Sequence, residues 1–309
     1  MGTIFRIEIY AADAAQASRA AEAAYARAEE LEQIMSDYRP DSELNTLVRE
    51  GSKAPFPVSN DLYDVLTRAM WISNESGGMF DVTIGPVVRL WRAARKSGQV
   101  PDAAAIAKAL ALVDYHNIVM DPQNHTVFLK RPGMVLDLGG VGKGYAADQM
   151  LATLEAQGIH RAMVVAGGEV VVGDPPPGKS GWNVTLDTAA SREGVAACSV
   201  LLARGAVSTS GDEHQFFVTN GHRYSHVINP KTGWALEGRS STTIVTRNFH
   251  SPDGLCTALS LMPVADGIRV AESIPGVAVL MVRRVNGEWK SYASQGFPTT
   301  CRILQKGGK

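Results

Sequence analysis

The order of segments in this 309-residue chain predicts an α+β fold. Residues 11–116 are dense in helical periodicity, whereas residues 117–309 are mostly short apolar runs separated by turn residues. A strand at 3–10 precedes the helices and has no neighbour in sequence to pair with. It needs a sheet built by later residues, which argues for one unit over 1–309 rather than two independent domains. No internal repeat or low-complexity linker interrupts the chain.

The opening strand rests on Ile4, Phe5, Ile7 and Ile9. From Asp13 to about Met35, Ala, Glu and Leu recur at helical spacing, predicting a long amphipathic helix. Pro40 stops regular structure, and Asp41 or Ser42 can cap a short helix. Pro55 and Pro57 mark a loop. Ser59 opens a helix to about Ser73, with Leu62, Val65, Leu66 and Ala69 on one face, closed by Gly77-Gly78. Met79 to Trp91 reads as a turn and then an apolar helix, and Pro101-Asp102 opens an alanine-rich one.

Beyond Asn117 the pattern changes. Ile118–Met120 and Thr126–Leu129 flank a turn at Asp121–Asn124, a hairpin. Val135–Leu138 reads as a buried strand, followed by a glycine turn and a helix from Lys143 to Gln157. Further strands are expected at 163–165, 170–172, 183–186, 198–202, 215–218, 224–228 and 241–246. A helix then starts near Asp253, and two last strands (277–285 and 289–292) turn on Asn286-Gly287.

Composition narrows the function classes. Hydrophobic residues make up 45% and charged residues 20%, with 30 basic against 31 acidic side chains. A nucleic-acid binder would carry a basic excess or stripe, and none is present. Cys198, Cys256 and Cys301 are far apart and odd in number, which gives neither a disulfide framework nor a zinc spacing and fits a reducing compartment without excluding an oxidising one. No apolar run approaches the roughly 18 residues of a membrane span. MGTIFRIEIY reads as a strand rather than a signal peptide, so either a cytoplasmic protein or one whose leader was removed is expected.

The chemistry concentrates in a few segments. LDLGGVGKGYAAD, Leu136 to Asp148, places an acid at a strand end, three glycines in a turn, and Lys143 where a helix begins. Glycines let backbone approach a ligand, and a helix N-terminus offers unpaired N–H groups to an anion. Lys143 adds a point charge suited to phosphate. It is neither a P-loop nor a dinucleotide fingerprint, and the plain alternative is a turn whose glycines relieve crowding. In HSPDGLCTALSLM, Asp253 and Thr257 lie four apart on a helix start. Their oxygens share one face and suit Mg²⁺, although Asp253 as a simple helix cap is the competing reading. Together the segments suggest a phosphorylated ligand held through a metal.

Three further stretches stand at loop mouths. SHVINPKTG puts a titratable His226 just before a turn, either a site residue or a satisfied structural histidine. In GGMFDVT, Met79 or Phe80 can lie against a planar ring and Asp81 can accept hydrogen bonds, or the segment is only a helix C-cap followed by an N-cap. Tyr38 in SDYRPDSEL can stack on an aromatic ligand, or is an ordinary half-buried tyrosine.

In their order along the chain, MGT (Met1–Thr3), SDYRPDSEL, SGGMFDVTIGPVVRLW, LDLGGVGKGYAAD, AGGEV (Ala166–Val170), STSGD (Ser208–Asp212), SHVINPKTG and the Asp253/Thr257 pair resemble the ApbE family, the FAD:protein FMN transferases. The likeness runs from residue 1 to about 285. It implies a mixed fold in which a helix-rich part packs on a strand-rich part around an FAD cleft. It also implies Mg²⁺-dependent cleavage of FAD, transfer of FMN to a threonine of a redox protein carrying a flavinylation motif, and release of AMP. By the same resemblance Met1, Tyr38, Met79, Phe80, Asp81, Asp137, Lys143 and Val227 contact FAD. The carbonyl of Gly140 with the side chains of Asp253 and Thr257 would ligate Mg²⁺, and His226, Asp253 and Lys143 would serve the reaction. Asn229 and Gly140 replace residues that are often Asp and Ala in the family; the first could weaken a turn hydrogen bond, the second is harmless to a carbonyl ligand. The family is typically exported and lipid-anchored on the periplasmic side. Alternatives from the same site are an FAD pyrophosphatase giving FMN and AMP, and a non-catalytic flavin-binding protein.

Overall fold

The structure, a computed structural model, describes residues 2–194, 196–211, 216–247, 250–298 and 302–303. The chain folds into two compact units, each discontinuous in sequence. One comprises 30–142 and 214–238, the other 2–29, 143–213 and 239–309.

The second unit is built on a seven-stranded antiparallel sheet. Its strands are β1 (Phe5–Ile9), β2 (Ala162–Ala166), β3 (Glu169–Val172), β4 (Gly205–Gly211), β5 (Ser240–Thr246), β6 (Val277–Val285) and β7 (Glu288–Ala293), lying side by side in that order. The opening strand therefore does find its partner far away in sequence, with Ile7 opposite Val164. Alternation explains the sheet: Ala162, Val164 and Ala166 turn inward to pack with Val171, Ala206 and the helix residues Met150 and Leu154. A separate core, including Trp182, Val200, Leu202, Val207 and Leu280, forms with the small sheet of Trp182–Thr185 and Ser199–Leu202. β4 carries residues 208–211 of the STSGD run, whose Asp212 lies outside the described residues, and was not foreseen as a strand; its small polar residues disguise a central position between β3 and β5. A helix Val264–Ser273 also went unforeseen, because Pro263 at its N-terminus reads as a stop.

The first unit holds the helices Glu43–Glu50, Asn60–Glu75, Gly85–Ser97 and Ala103–Leu110, with the Ile118–Asp121/Thr126–Leu129 hairpin joined by a third short strand at Phe56–Pro57. The expected caps are in place: Ser42 Oγ accepts from Asn45 N and Ser59 Oγ from Leu62 N. A three-stranded sheet of Phe216–Thr219, His222–Ile228 and Ala235–Glu237 packs on Val87, Trp91 and Ile106. Residues 135–138, expected as a strand, form only one bridge, Val135 with Ile84. The segment is extended and buried, but Asp137 N donates to Val82 O (2.7 Å), a connection rather than a sheet edge.

Cys198 is disulfide-bonded, the case the sequence left open beside a reducing compartment, and Cys256 is a buried free thiol. No helix among the described residues is long and apolar enough to cross a membrane.

Candidate active site

In the second unit, two segments separated by more than a hundred residues meet. The helix Gly142–Ala156 begins in the glycine turn and carries Lys143 and Gly144 in its first turn; the helix Asp253–Ser260 carries Asp253 and Thr257. Lys143 Nζ lies 3.2 Å from Asp253 Oδ2 and 3.4 Å from Oδ1, and Gly144 N donates to Oδ2 at 3.2 Å. Asp253 is the first residue of its helix, after Pro252 in the cap position, and its carboxylate takes the Lys143 ammonium and the Gly144 N–H of the other helix. Gly144 is where the approach becomes possible: a Cβ there would stand 2.7 Å from Ser251 Cβ and 2.9 Å from Asp253 Cβ. Thr257 Oγ1 lies 3.3 Å from Ser210 Oγ and 3.4 Å from Asp253 O.

The electrostatics are those of a buried acid paired with a lysine. Asp253 is 3% exposed. Burial pushes its carboxyl up, while Lys143 and the Gly144 N–H pull it back. Glu169, from the AGGEV run, lies in the same cluster and was given no role by the sequence. Burial and the neighbouring Asp253 hold its carboxyl well above the usual range. Its oxygens accept from Ser208 Oγ and Ser251 Oγ, each at 2.6 Å. The signal was available, since a glutamate sits between apolar runs in VVAGGEVVV, where a carboxylate is rarely buried without a purpose. Asp148, ending the glycine-rich motif, accepts Ser251 N with both oxygens (3.0 and 3.1 Å).

In the first unit, Arg92 unites residues expected around FAD. Its guanidinium pairs with Asp37, donates to Asp137 Oδ2 at 2.9 Å, and lies 4.4 Å from the centre of the Tyr38 ring. Tyr38 is 67% exposed, so it presents an aromatic surface to solvent rather than the half-buried side chain of the plain reading. Asp137 Oδ1 accepts from Gly139 N (2.8 Å) and so shapes the turn that contains Gly140. Asp81 spends its carboxylate internally: Oδ1 accepts from Thr83 N and Oγ1, and Oδ2 from Tyr115 N. Phe80 is buried and Met79 half-buried, so this segment behaves first as a structural turn. It meets the SHVINPKTG turn, because a Cβ on Gly78 would stand 2.6 Å from Lys231 Nζ. Trp91 Nε1 donates to Gly233 O (2.8 Å), fixing that turn from the other side. His226 is exposed on its strand and Val227 buried beside it. Asn229 Oδ1 accepts Lys231 N at 2.8 Å, so the turn bond in question is made by asparagine. Met1 lies outside the described residues.

Comparison with known proteins bears on this arrangement. A family model described as the ApbE family matches residues 1–281. The chain belongs to the ApbE family. It is 30% identical to the FAD:protein FMN transferase of Klebsiella pneumoniae (strain 342), over 97% of this chain and 87% of that protein. It is also 30% identical to the FAD:protein FMN transferase of Treponema pallidum (strain Nichols), over 98% and 87%. Among solved structures, a mutant of the flavin transferase ApbE from Vibrio cholerae superposes with a TM-score of 0.83 at 30% identity, covering 96% of this chain and 95% of that one. The ApbE protein of Thermotoga maritima does so with 0.84 at 28% identity, covering 95% and 94%. The α+β class is thus that of the ApbE family.

Proposed function

We propose that this protein transfers FMN from FAD to a threonine hydroxyl of a target redox protein, with Mg²⁺, releasing AMP. The observation that carries the reading is the meeting of Lys143 and Gly144 with Asp253, which joins the anion-binding turn to the acid expected to bind metal. Family membership and relatives named FAD:protein FMN transferase support it.

The donor set fits a hard cation. Asp253 is a buried carboxylate whose positive neighbour is a lysine, and Thr257 adds a hydroxyl from the same helix face. The Gly140 carbonyl, three residues before Lys143, is the proposed third ligand. When bound, Mg²⁺ would neutralise pyrophosphate charge. The chain's own groups do the rest. The positive end of the Gly142–Ala156 helix and the Lys143 ammonium, which Asp253 holds in place, attract the phosphates. Tyr38, backed by Arg92, offers a ring face to the isoalloxazine, and Met79, Phe80, Asp81, Asp137 and Val227 are proposed to complete flavin recognition.

In the reaction the threonine oxygen forms a bond to the FMN phosphorus while the bond from that phosphorus to the bridging oxygen breaks. AMP leaves with the electron pair, and the threonine proton passes to a base. Phosphoryl transfer of this kind depends mainly on positioning and charge neutralisation. We assign the base, or the group that orients the hydroxyl, to His226.

Incubation with FAD and Mg²⁺, with and without a threonine-containing acceptor peptide, tests the reading by mass spectrometry. FMN-sized mass gain on the peptide and release of AMP are expected. Free FMN and AMP irrespective of acceptor would instead mean a pyrophosphatase, and intact bound FAD a flavin-binding protein. Asp253→Ala should abolish the Mg²⁺-dependent turnover.

A further inference from the structure

We propose that Glu169 is a positioning residue: clamped between the hydroxyls of Ser208 and Ser251, it fixes the segment that presents Asp253. The inference rests on the reading of Asp253 as a metal ligand.

Glu169 begins β3 and stands directly opposite Ser208 on β4 in the antiparallel register, so the sheet itself places this carboxyl. Each of its oxygens takes one hydroxyl at 2.6 Å, short bonds of the kind made to strong acceptors. Ser251 lies two residues before Asp253 and is held at two atoms. Its hydroxyl goes to Glu169 on the sheet, and its N–H to Asp148 on the glycine-turn helix. Beyond Ser251 the chain runs straight into Asp253, whose carboxylate receives the Gly144 N–H. Asp253 is therefore aimed by a strand and a helix at once, through a serine that touches both and through the Glu169 carboxyl, which also interacts with Asp253 directly. Glu169 is 2% exposed, and burying a carboxyl there works against folding, whereas an apolar residue would favour it. What the carboxyl supplies instead is two acceptors in fixed directions. Groups that orient a ligand in this way commonly govern metal affinity by 10- to 100-fold, as an order of magnitude.

The test uses Mn²⁺ as probe. Its binding to the FAD-saturated protein in the cold is read from loss of the free Mn²⁺ signal in electron paramagnetic resonance. Metal-free FAD affinity is measured separately from flavin fluorescence. Glu169→Ala should weaken Mn²⁺ binding on the order of 10-fold or more, with metal-free FAD affinity unchanged within about twofold. Ser251→Ala should weaken Mn²⁺ in the same direction. The double variant should be no worse than Glu169→Ala alone, because the Ser251 hydroxyl acts through its bond to Glu169. Glu169→Gln keeps one oxygen acceptor and should recover part of the loss. Mn²⁺ affinity within twofold of wild type in Glu169→Gln and Ser251→Ala, while Asp253→Ala abolishes binding, overturns the role of Glu169 and leaves the metal reading standing. These two variants also decide the matter should Glu169→Ala fail to fold. Binding undiminished in Asp253→Ala would remove the metal reading itself, and the inference with it.

Discussion

Gly144→Ala sets two effects of opposite sign against each other. Replacing a helical glycine by alanine normally stabilises by about 1 kcal/mol. Here the added methyl would meet Ser251 Oγ, Ser251 Cβ at 2.7 Å and Asp253 Cβ at 2.9 Å, where carbon atoms ordinarily rest about 3.5–4.0 Å apart. The two carbons cannot swing aside, because a Cβ moves only with its backbone. The 251–253 segment must retreat by roughly 0.7–1 Å, and overpacking of this sort costs about 1–3 kcal/mol. The clash outweighs propensity, and a net destabilisation of about 1–2 kcal/mol is expected, a fall in Tm of a few degrees. The retreat also draws Asp253 from Lys143, so Mg²⁺-dependent turnover should drop more than stability does. Gly142→Ala is the control two residues earlier. Its methyl would find Met35 Sδ and Cε at 3.9 Å and Leu138 Cβ at 4.0 Å, ordinary contacts, and should leave stability unchanged or raise it by about 0.4–1 kcal/mol. Urea unfolding followed by circular dichroism compares the three proteins. A Gly144→Ala variant as stable and as active as wild type would refute the close approach on which the site depends.

Other outcomes can be checked directly. Arg92→Met strands the carboxylates of Asp37 and Asp137 and frees the Tyr38 ring. We expect a loss of about 2 kcal/mol in stability and weaker FAD binding by fluorescence titration, whereas Arg92→Lys should restore charge but not the two-pronged pairing. Full transfer by His226→Ala with normal FAD binding would take the base or orienting role from that residue. In the hairpin turn, the Asn124 side chain and the Gln123 and Asn124 N–H groups hold the Asp121 carboxyl below its usual range. A depressed acid contributes stability above its unfolded pKa and loses it as pH falls through the folded value. The gap between wild type and Asp121→Ala should thus be full near neutrality and close below about pH 3.8 in pH-stepped thermal unfolding. Burial pushes the Cys256 thiol up to about 12, so alkylating reagents at pH 8 should modify it only on unfolding.

Much of the architecture was legible in the chain. Alternation in the opening strand, serine caps at Ser42 and Ser59, and the Asn286-Gly287 hairpin are local signals, and local backbone preference acts before any distant contact forms. The Lys143 turn and the Asp253/Thr257 spacing were legible for the same reason. Resemblance added the order of motifs and, through it, the family. The change of texture near residue 116 was also visible, yet the two units exchange chain at 29/30, 142/143, 213/214 and 238/239. Those crossings depend on which apolar faces bury each other, which no short window records. Tertiary structure alone decided that residues 205–211 form a central strand, that residues 135–138 are extended without joining a sheet, and that Asp81 turns its carboxylate inward. It also decided that Glu169 reaches Ser251 across 82 residues and that Arg92 gathers Asp37, Tyr38 and Asp137. A side chain's type and its nearest neighbours in sequence set what it can do. Only packing determines which distant group stands within hydrogen-bond reach, and the chemistry of a site is made of those encounters.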